Sequence, residues 1–245
     1  MTGAMTRRTR FSGVAFDPLG LDAALAWLDR RTAGDPFAYV VTPNVDHCVR
    51  LADNPDPELH AAYGGADLCL CDSRVLALLA RLRGIDLPVA PGSDLTARLL
   101  GSIPPGRRLF LVGGDDVARE RLQAMLPGVD VGQHQPPMGL RHRPDAMAAC
   151  AEAVVAAQAD YVLLAVGSPQ QELVAAMLAR HPQARGTALC IGASVDFLTG
   201  RAQRAPRWMQ RFALEWLHRL LSEPRRMARR YLIEGPRILR IALRS

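Results

Sequence analysis

The chain contains no lysine; all 30 of its basic residues are arginine. That excludes chemistry built on a lysine amine, such as a Schiff base, a pyridoxal phosphate enzyme or the phosphate-binding lysine of a Walker A loop. The GxGxxG pattern of dinucleotide-binding folds and the HExxH pattern of zinc peptidases are also missing. No CxxC pair suggests a structural zinc site, and no Asp-x-Asp pair suggests a divalent metal held against a diphosphate. No window approaches the roughly 18 uncharged apolar residues of a bilayer-spanning helix. The opening MTGAMTRRTRFSGVAF carries arginines but no apolar run of secretory-signal length, so a cytoplasmic protein is expected. Five cysteines (48, 69, 71, 150 and 190) are an odd number and are expected as free thiols in a reducing compartment. Cys69 and Cys71 lie in an apolar run, where buried packing is their expected role.

What remains is an ordinary globular composition of 49% hydrophobic and 22% charged residues over 245 positions, which is enough chain for one substantial core. Disorder, collagen and coiled coil are excluded as the main architecture. The charge is uneven. Residues 201–245 hold 12 arginines against three glutamates, a net of +9, whereas residues 1–200 carry a net of −3. A slightly acidic body with a strongly basic end points to a polyanionic partner: a phosphorylated ligand, an anionic membrane or a nucleic acid.

Five short apolar runs read as buried strands: 37–41, 66–71, 107–114, 160–167 and 187–193. Helical patterns cover 21–31, 45–53, 73–83, 94–101, 115–125, 144–158 and 169–180. Strand and helix alternating at this spacing predict a Rossmann-like α/β fold, a parallel sheet with helices on both faces. Ligands bind such sheets at the carboxyl ends of the strands. The tips there are Thr42-Pro43-Asn44-Val45-Asp46-His47, Asp72-Ser73-Arg74, Gly113-Gly114-Asp115-Asp116, Gly167-Ser168-Pro169-Gln170-Gln171-Glu172 and Gly192-Ala193-Ser194-Val195-Asp196. After residue 200 the pattern changes. Trp208, Phe212, Trp216 and Leu220 recur every four residues between arginines, and Pro224 interrupts the run. Two domains follow: an α/β core at 1–200, and an Arg-rich amphipathic helical appendage at 201–245.

Asp72 ends an apolar strand, a setting in which a carboxylate can serve as a base. An Asp just before a helix is equally a favoured N-cap. Asn44 is open to the same alternative. Gly113 and Gly114 before a helix let backbone N–H groups approach a phosphate, or simply relieve crowding. The amides at Gln170 and Gln171 can read sugar or base polar groups, or stand exposed at a capped helix start. The arginines suit bidentate phosphate contacts. The apolar stripe beside them suits the core, a membrane interface or a second copy of the chain, and no nucleic-acid fold signature accompanies it.

In order, the segments VTPNVDH (41–47), ADLCLCDS (66–73), PGSDL (91–95), LFLVGG (109–114), AVGSPQQE (165–172), GASVDFLTG (192–200) and RAPRWMQRFALEWLHRLLSEPRR (204–226) resemble the WecG/TagA/CpsF glycosyltransferase family. The resemblance spans residues 35–232 and is most specific in the last segment. It implies transfer of an N-acetylmannosamine-, uronic acid- or glucose-type sugar from a UDP-sugar to a polyprenyl-diphosphate-linked saccharide. That chemistry inverts the anomeric centre, needs no metal or other cofactor, and occurs at the inner face of the cytoplasmic membrane, in cell-surface or exopolysaccharide synthesis. By resemblance, Asp72 matches the general base. Thr42 and Asn44 match a substrate-pocket motif, Gln171 the Gln of a P-x-Q-E motif, and Arg219, Arg226 and Arg229 basic residues that reach the diphosphates. Gly113, Gly114, Asp196 and Arg204 complete the expected substrate-binding set. Two departures stand out: Asp72-Ser73-Arg74 where many members have Asp-Gly, and Gln170 where Lys is common. The competing class is a non-catalytic module on the same fold, binding anionic lipid or nucleic acid.

Overall fold

The computed structural model of the chain describes residues 7–192, 194, 200, 206, 209, 215–222 and 236–243. Its centre is a sheet of six parallel strands: β3 (Ala38–Val41), β4 (Leu68–Cys69), β5 (Arg108–Gly113), β6 (Asp130–His134), β7 (Tyr161–Ala165) and β8 (Thr187–Cys190). They lie in the order β4-β3-β8-β7-β5-β6. Side chains alternate across a strand, and here both faces are apolar. Tyr39, Val41, Val162 and Leu164 point into one hydrophobic cluster. Val40, Leu111, Leu163 and Leu189 point into the other. That double burial is why the strands read as unbroken apolar runs.

The first cluster is closed by α2 (Val45–Asp53), α3 (Pro57–Gly64), α4 (Arg74–Arg81), α7 (Pro144–Ala157), α8 (Gln170–Ala179) and the last helix, α10 (Arg237–Leu243). The second is closed by α1 (Leu21–Asp29), α5 (Gly92–Ser102) and α6 (Asp116–Met125). The Rossmann-like α/β architecture is therefore as expected. Within residues 201–245, helices occur at α9 (Glu215–Ser222) and α10. α10 buries Ile238 and Ala242 in the core cluster, and Arg237 pairs with Asp53 of α2 at 2.7 Å.

Three elements were not anticipated. β6 is a polar edge strand. A two-stranded antiparallel hairpin, β1 (Thr9–Phe11) with β2 (Val14–Phe16), precedes the core. α3 lies between α2 and β4. The hairpin leads directly to a clasp on the opposite edge of the sheet. Asp17 donates its backbone N–H to Cys69 O at 2.8 Å, and its carboxylate accepts the Cys69 N–H at 2.7 Å. Arg8 Nε donates to both carboxylate oxygens at 3.1 Å. The exposed hydrogen-bonding edge of β4 is thereby satisfied, which protects it from pairing with another chain.

Carboxylates at the amino ends of the strands serve the fold. Asp160 accepts the N–H groups of Arg108 at 2.9 Å and Ala33 at 3.0 Å, and the Arg107 guanidinium at 2.6 Å. Burial pushes this carboxyl up, but those three donors outweigh it and hold the group below the ordinary carboxylate value. A depressed acid stabilises the fold above its unfolded value and loses that contribution as pH falls through the folded one. Asp160→Asn should therefore cost about 2–4 kcal/mol at neutral pH. The gap to the parent should narrow below about pH 4 as the parent's own carboxylate protonates. Urea melts across that range measure it.

Candidate active site

The polar tips expected from the sequence gather along the carboxyl edge of the sheet as far as the described residues carry them. β5 connects through α6 on one face to β6, whereas β7 connects through α8 on the other face to β8. The chain thus leaves these two neighbouring strands in opposite directions, which opens the crevice that doubly wound folds use for ligands. Gly113 lines it. Its φ is +97°, and a Cβ there would lie 2.9 Å from the carbonyl oxygen of Ala165, its paired residue on β7. Gly114 is exposed beyond it, and Asp115 caps α6 through the Ala118 N–H at 3.0 Å.

Asp72 stands four strands away, at the end of β4. Its alternative role as the cap of α4 is filled by its neighbour, because the Ser73 hydroxyl accepts the Leu76 N–H at 3.2 Å. Ser73, one of the two departures from the family pattern, is thus accounted for by helix capping. Asp72 is aimed elsewhere. Its backbone N–H reaches Pro43 O at 3.1 Å, and its Oδ1 accepts the Gly92 N–H, the first of α5, at 3.2 Å. Gly92 in turn abuts Thr42, since a Cβ on Gly92 would lie 2.5 Å from Thr42 Oγ1. Thr42, Asp72 and Gly92 therefore form one cluster, with both polar side chains half-buried. Asn44 begins the next helix. Its side chain accepts the Asp46 N–H at 3.1 Å and its backbone N–H donates to His47 Nδ1 at 3.2 Å. The capping alternative raised for Asn44 thus describes its contacts here.

Between these ends lies a buried polar knot. Gln171 Oε1 accepts the Gly192 N–H at 2.8 Å, and its Nε2 donates to Glu172 Oε1 at 2.9 Å. Both residues are almost wholly buried, at 3% and 1% exposure. Gln171 therefore ties the start of α8 to the tip of β8, and Glu172 orients its amide. Tyr63 of α3 faces Glu172 and Ser168; burial and the Glu172 charge push its phenol well up. Arg50 of α2 joins the knot from outside, donating to Ser168 Oγ at 3.0 Å and to Asp46 at 2.9 Å. Arg50 and Tyr63 escaped the sequence reading, while Gly92 and Glu172 stood inside the segments 91–95 and 165–172 without a role of their own. The partner of Arg50 on the far side of the knot lies 118 residues away, a contact no local pattern announces.

Burial pushes the Cys71 thiol, which directly precedes Asp72, up to about 12. It is a packing residue, and all five cysteines are buried and free. Among the described residues, no three His, Cys, Asp or Glu side chains converge to hold a metal ion. Asp196, Arg204, Arg226 and Arg229 lie outside the described residues. Arg219 falls within α9, and its side chain is likewise outside them.

The family model described as "Glycosyl transferase WecG/TagA/CpsF family" matches residues 9–245. A protein of Bacillus spizizenii named N-acetylglucosaminyldiphosphoundecaprenol N-acetyl-beta-D-mannosaminyltransferase is 30% identical over 198 residues, covering 78% of this chain and 74% of that protein.

Proposed function

We propose, for a chain that belongs to the WecG/TagA/CpsF glycosyltransferase family, that it moves a sugar from a UDP-sugar to a polyprenyl-diphosphate-linked saccharide, with inversion and without a metal. The observation that carries the assignment is Asp72. Ser73 caps α4 in its place, and the Asp72 carboxylate is held by the first N–H of α5, from Gly92, at the carboxyl edge beside Thr42. The relative's printed name describes a sugar transfer onto a diphosphoundecaprenol-linked N-acetylglucosamine, and an acceptor of that class is proposed here.

An acceptor hydroxyl is a poor nucleophile until a base takes its proton, and Asp72 is placed to do so. The oxygen then attacks the anomeric carbon from the face opposite the leaving group, the C–O bond to UDP breaks, and UDP departs with the electron pair. Negative charge growing on the leaving diphosphate needs fixed donors. Arg204, Arg219, Arg226 and Arg229 are proposed to supply them, and the crevice at Gly113 and Gly114, four strands from the base, is proposed to hold the far end of the donor. From the tip of β4 to that of β5 is four strand spacings, about 19 Å. That span suits an elongated donor with an acceptor beside it, and is too wide for one monosaccharide to bridge.

No helix among the described residues is long and apolar enough to cross a membrane. We place the enzyme on the inner face of the cytoplasmic membrane, where a lipid-linked acceptor lies. UDP release with detergent-solubilised acceptors and a panel of UDP-sugars, with and without EDTA, tests the proposal. Acceptor-dependent, EDTA-insensitive release supports it. Release that needs a divalent ion removes the metal-free mechanism, and absence of release with every pair removes the transferase assignment.

A further inference from the structure

Two helices keep an apolar outer side although each already buries an inner one. α4 packs Leu76 and Ala80 inward, yet Leu78 and Leu82, just past its end, are 57% and 74% exposed. α10 packs Ile238 and Ala242 inward, yet Leu239 and Leu243 are 52% and 71% exposed. A spacing of four residues puts both leucines of each pair on one side of their helix. The two helices touch, and Arg83 Nη1 donates to the Leu243 carbonyl at 3.0 Å. That bond sets the exposed end of one leucine pair beside the other. Single exposed leucines need no explanation; four on two touching helices do.

The surrounding charge selects the occupant. Arg74, Arg81, Arg83, Arg237 and Arg240 are all exposed around the leucines. Of the nearby acids, Asp53 is paired with Arg237, and Asp86 lies exposed in the loop after α4. A symmetric contact between two copies would bring these arginines against their own kind, which is costly. A nucleic acid would meet the arginines and leave the leucines in water. An anionic bilayer satisfies both, with acyl chains for the leucines and headgroup phosphates for the arginines.

We infer that the outer faces of α4 and α10 form a docking surface for an anionic lipid bilayer, resting on the lipid-linked acceptor proposed above. α4 begins two residues after Asp72, so a bilayer seated there brings a lipid-anchored diphosphate to the base. The α/β core itself then makes the membrane contact, together with the last helix.

The test is co-sedimentation of the full chain with phosphatidylcholine vesicles, with and without phosphatidylglycerol, at low and high salt. Binding should require phosphatidylglycerol and weaken with salt. The double variant Leu82→Glu/Leu243→Glu should bind about tenfold more weakly or worse, with an unchanged thermal melt because both side chains are already exposed. Arg81→Gln/Arg240→Gln should flatten the salt dependence. Transfer to a water-soluble short-chain acceptor diphosphate should be unaffected in both variants. Failure of that transfer in the parent would count against the proposed reaction, while leaving the vesicle result to stand alone. Equal vesicle binding by parent and leucine variant would overturn the surface. So would a parent dimer, seen by sedimentation without lipid, that the leucine substitutions convert to monomer.

Discussion

Asp72→Asn should lower kcat by about 10²–10⁴-fold, the range supplied by a positioned general base. The donor KM should change little. Asparagine keeps the shape of the side chain, and its carbonyl oxygen can still accept the Gly92 N–H, so the thermal melt should match that of the parent. The informative partner is Ser73→Ala. It removes the cap of α4, which typically costs about 1 kcal/mol, and should leave turnover nearly intact. Loss of stability with activity kept at position 73, and loss of activity with stability kept at position 72, would separate two adjacent residues by role. If Asp72→Asn turned over normally with both substrates bound, the base would have to be sought elsewhere on the same edge.

Gly92→Ala should be nearly as damaging by a different route. Alanine normally favours a helix over glycine by about 1 kcal/mol, so on propensity alone the change should stabilise α5. Its Cβ would lie 2.5 Å from Thr42 Oγ1 and 3.3 Å from Thr42 Cβ, contacts that force the side chain or the helix to move. Overpacking of this kind costs about 1–3 kcal/mol, and the atom that moves with α5 is the Gly92 nitrogen that holds Asp72. Displacement of a catalytic group by about 1 Å can cost a hundredfold in rate. The double variant Gly92→Ala/Thr42→Ala removes the obstructing hydroxyl. It should recover the melting temperature but not the turnover, and that non-additive pattern marks a coupled pair. Full activity in the single variant would show that this cluster is not where the reaction occurs.

The sheet was legible where strands are buried on both faces. Tyr39-Val40-Val41 and Val162-Leu163-Leu164 declare themselves because every position must be apolar. β6 did not, since an edge strand carrying Asp130, Gly132, Gln133 and His134 has neither an apolar run nor alternation. The hairpin at Thr9–Phe16 is half-polar and short. α3 sits between Pro57 and Gly65, residues that also mark loops. Within the site, Asp72 could be singled out from its place after a strand, but which helix start its carboxylate serves could not: Ser73 caps α4, and Asp72 takes the first N–H of α5 twenty residues on. The commitment of both ends of the Gln171 amide could not be read locally, because its partner Gly192 lies 21 residues on. Nothing in Pro91-Gly92-Ser93 announces that Thr42 needs the room.

α10 is a terminal element by sequence and a core element by packing. Ile238 and Ala242 are 3% and 4% exposed inside the main hydrophobic cluster, and Arg237 pairs with Asp53 of α2. Tolerance to truncation follows burial and not position along the chain. A stop placed before Pro236 would therefore uncover the apolar surface those two side chains fill and strip Asp53 of its cation, so trimming ten residues would read out as a lowered melting temperature of the whole core.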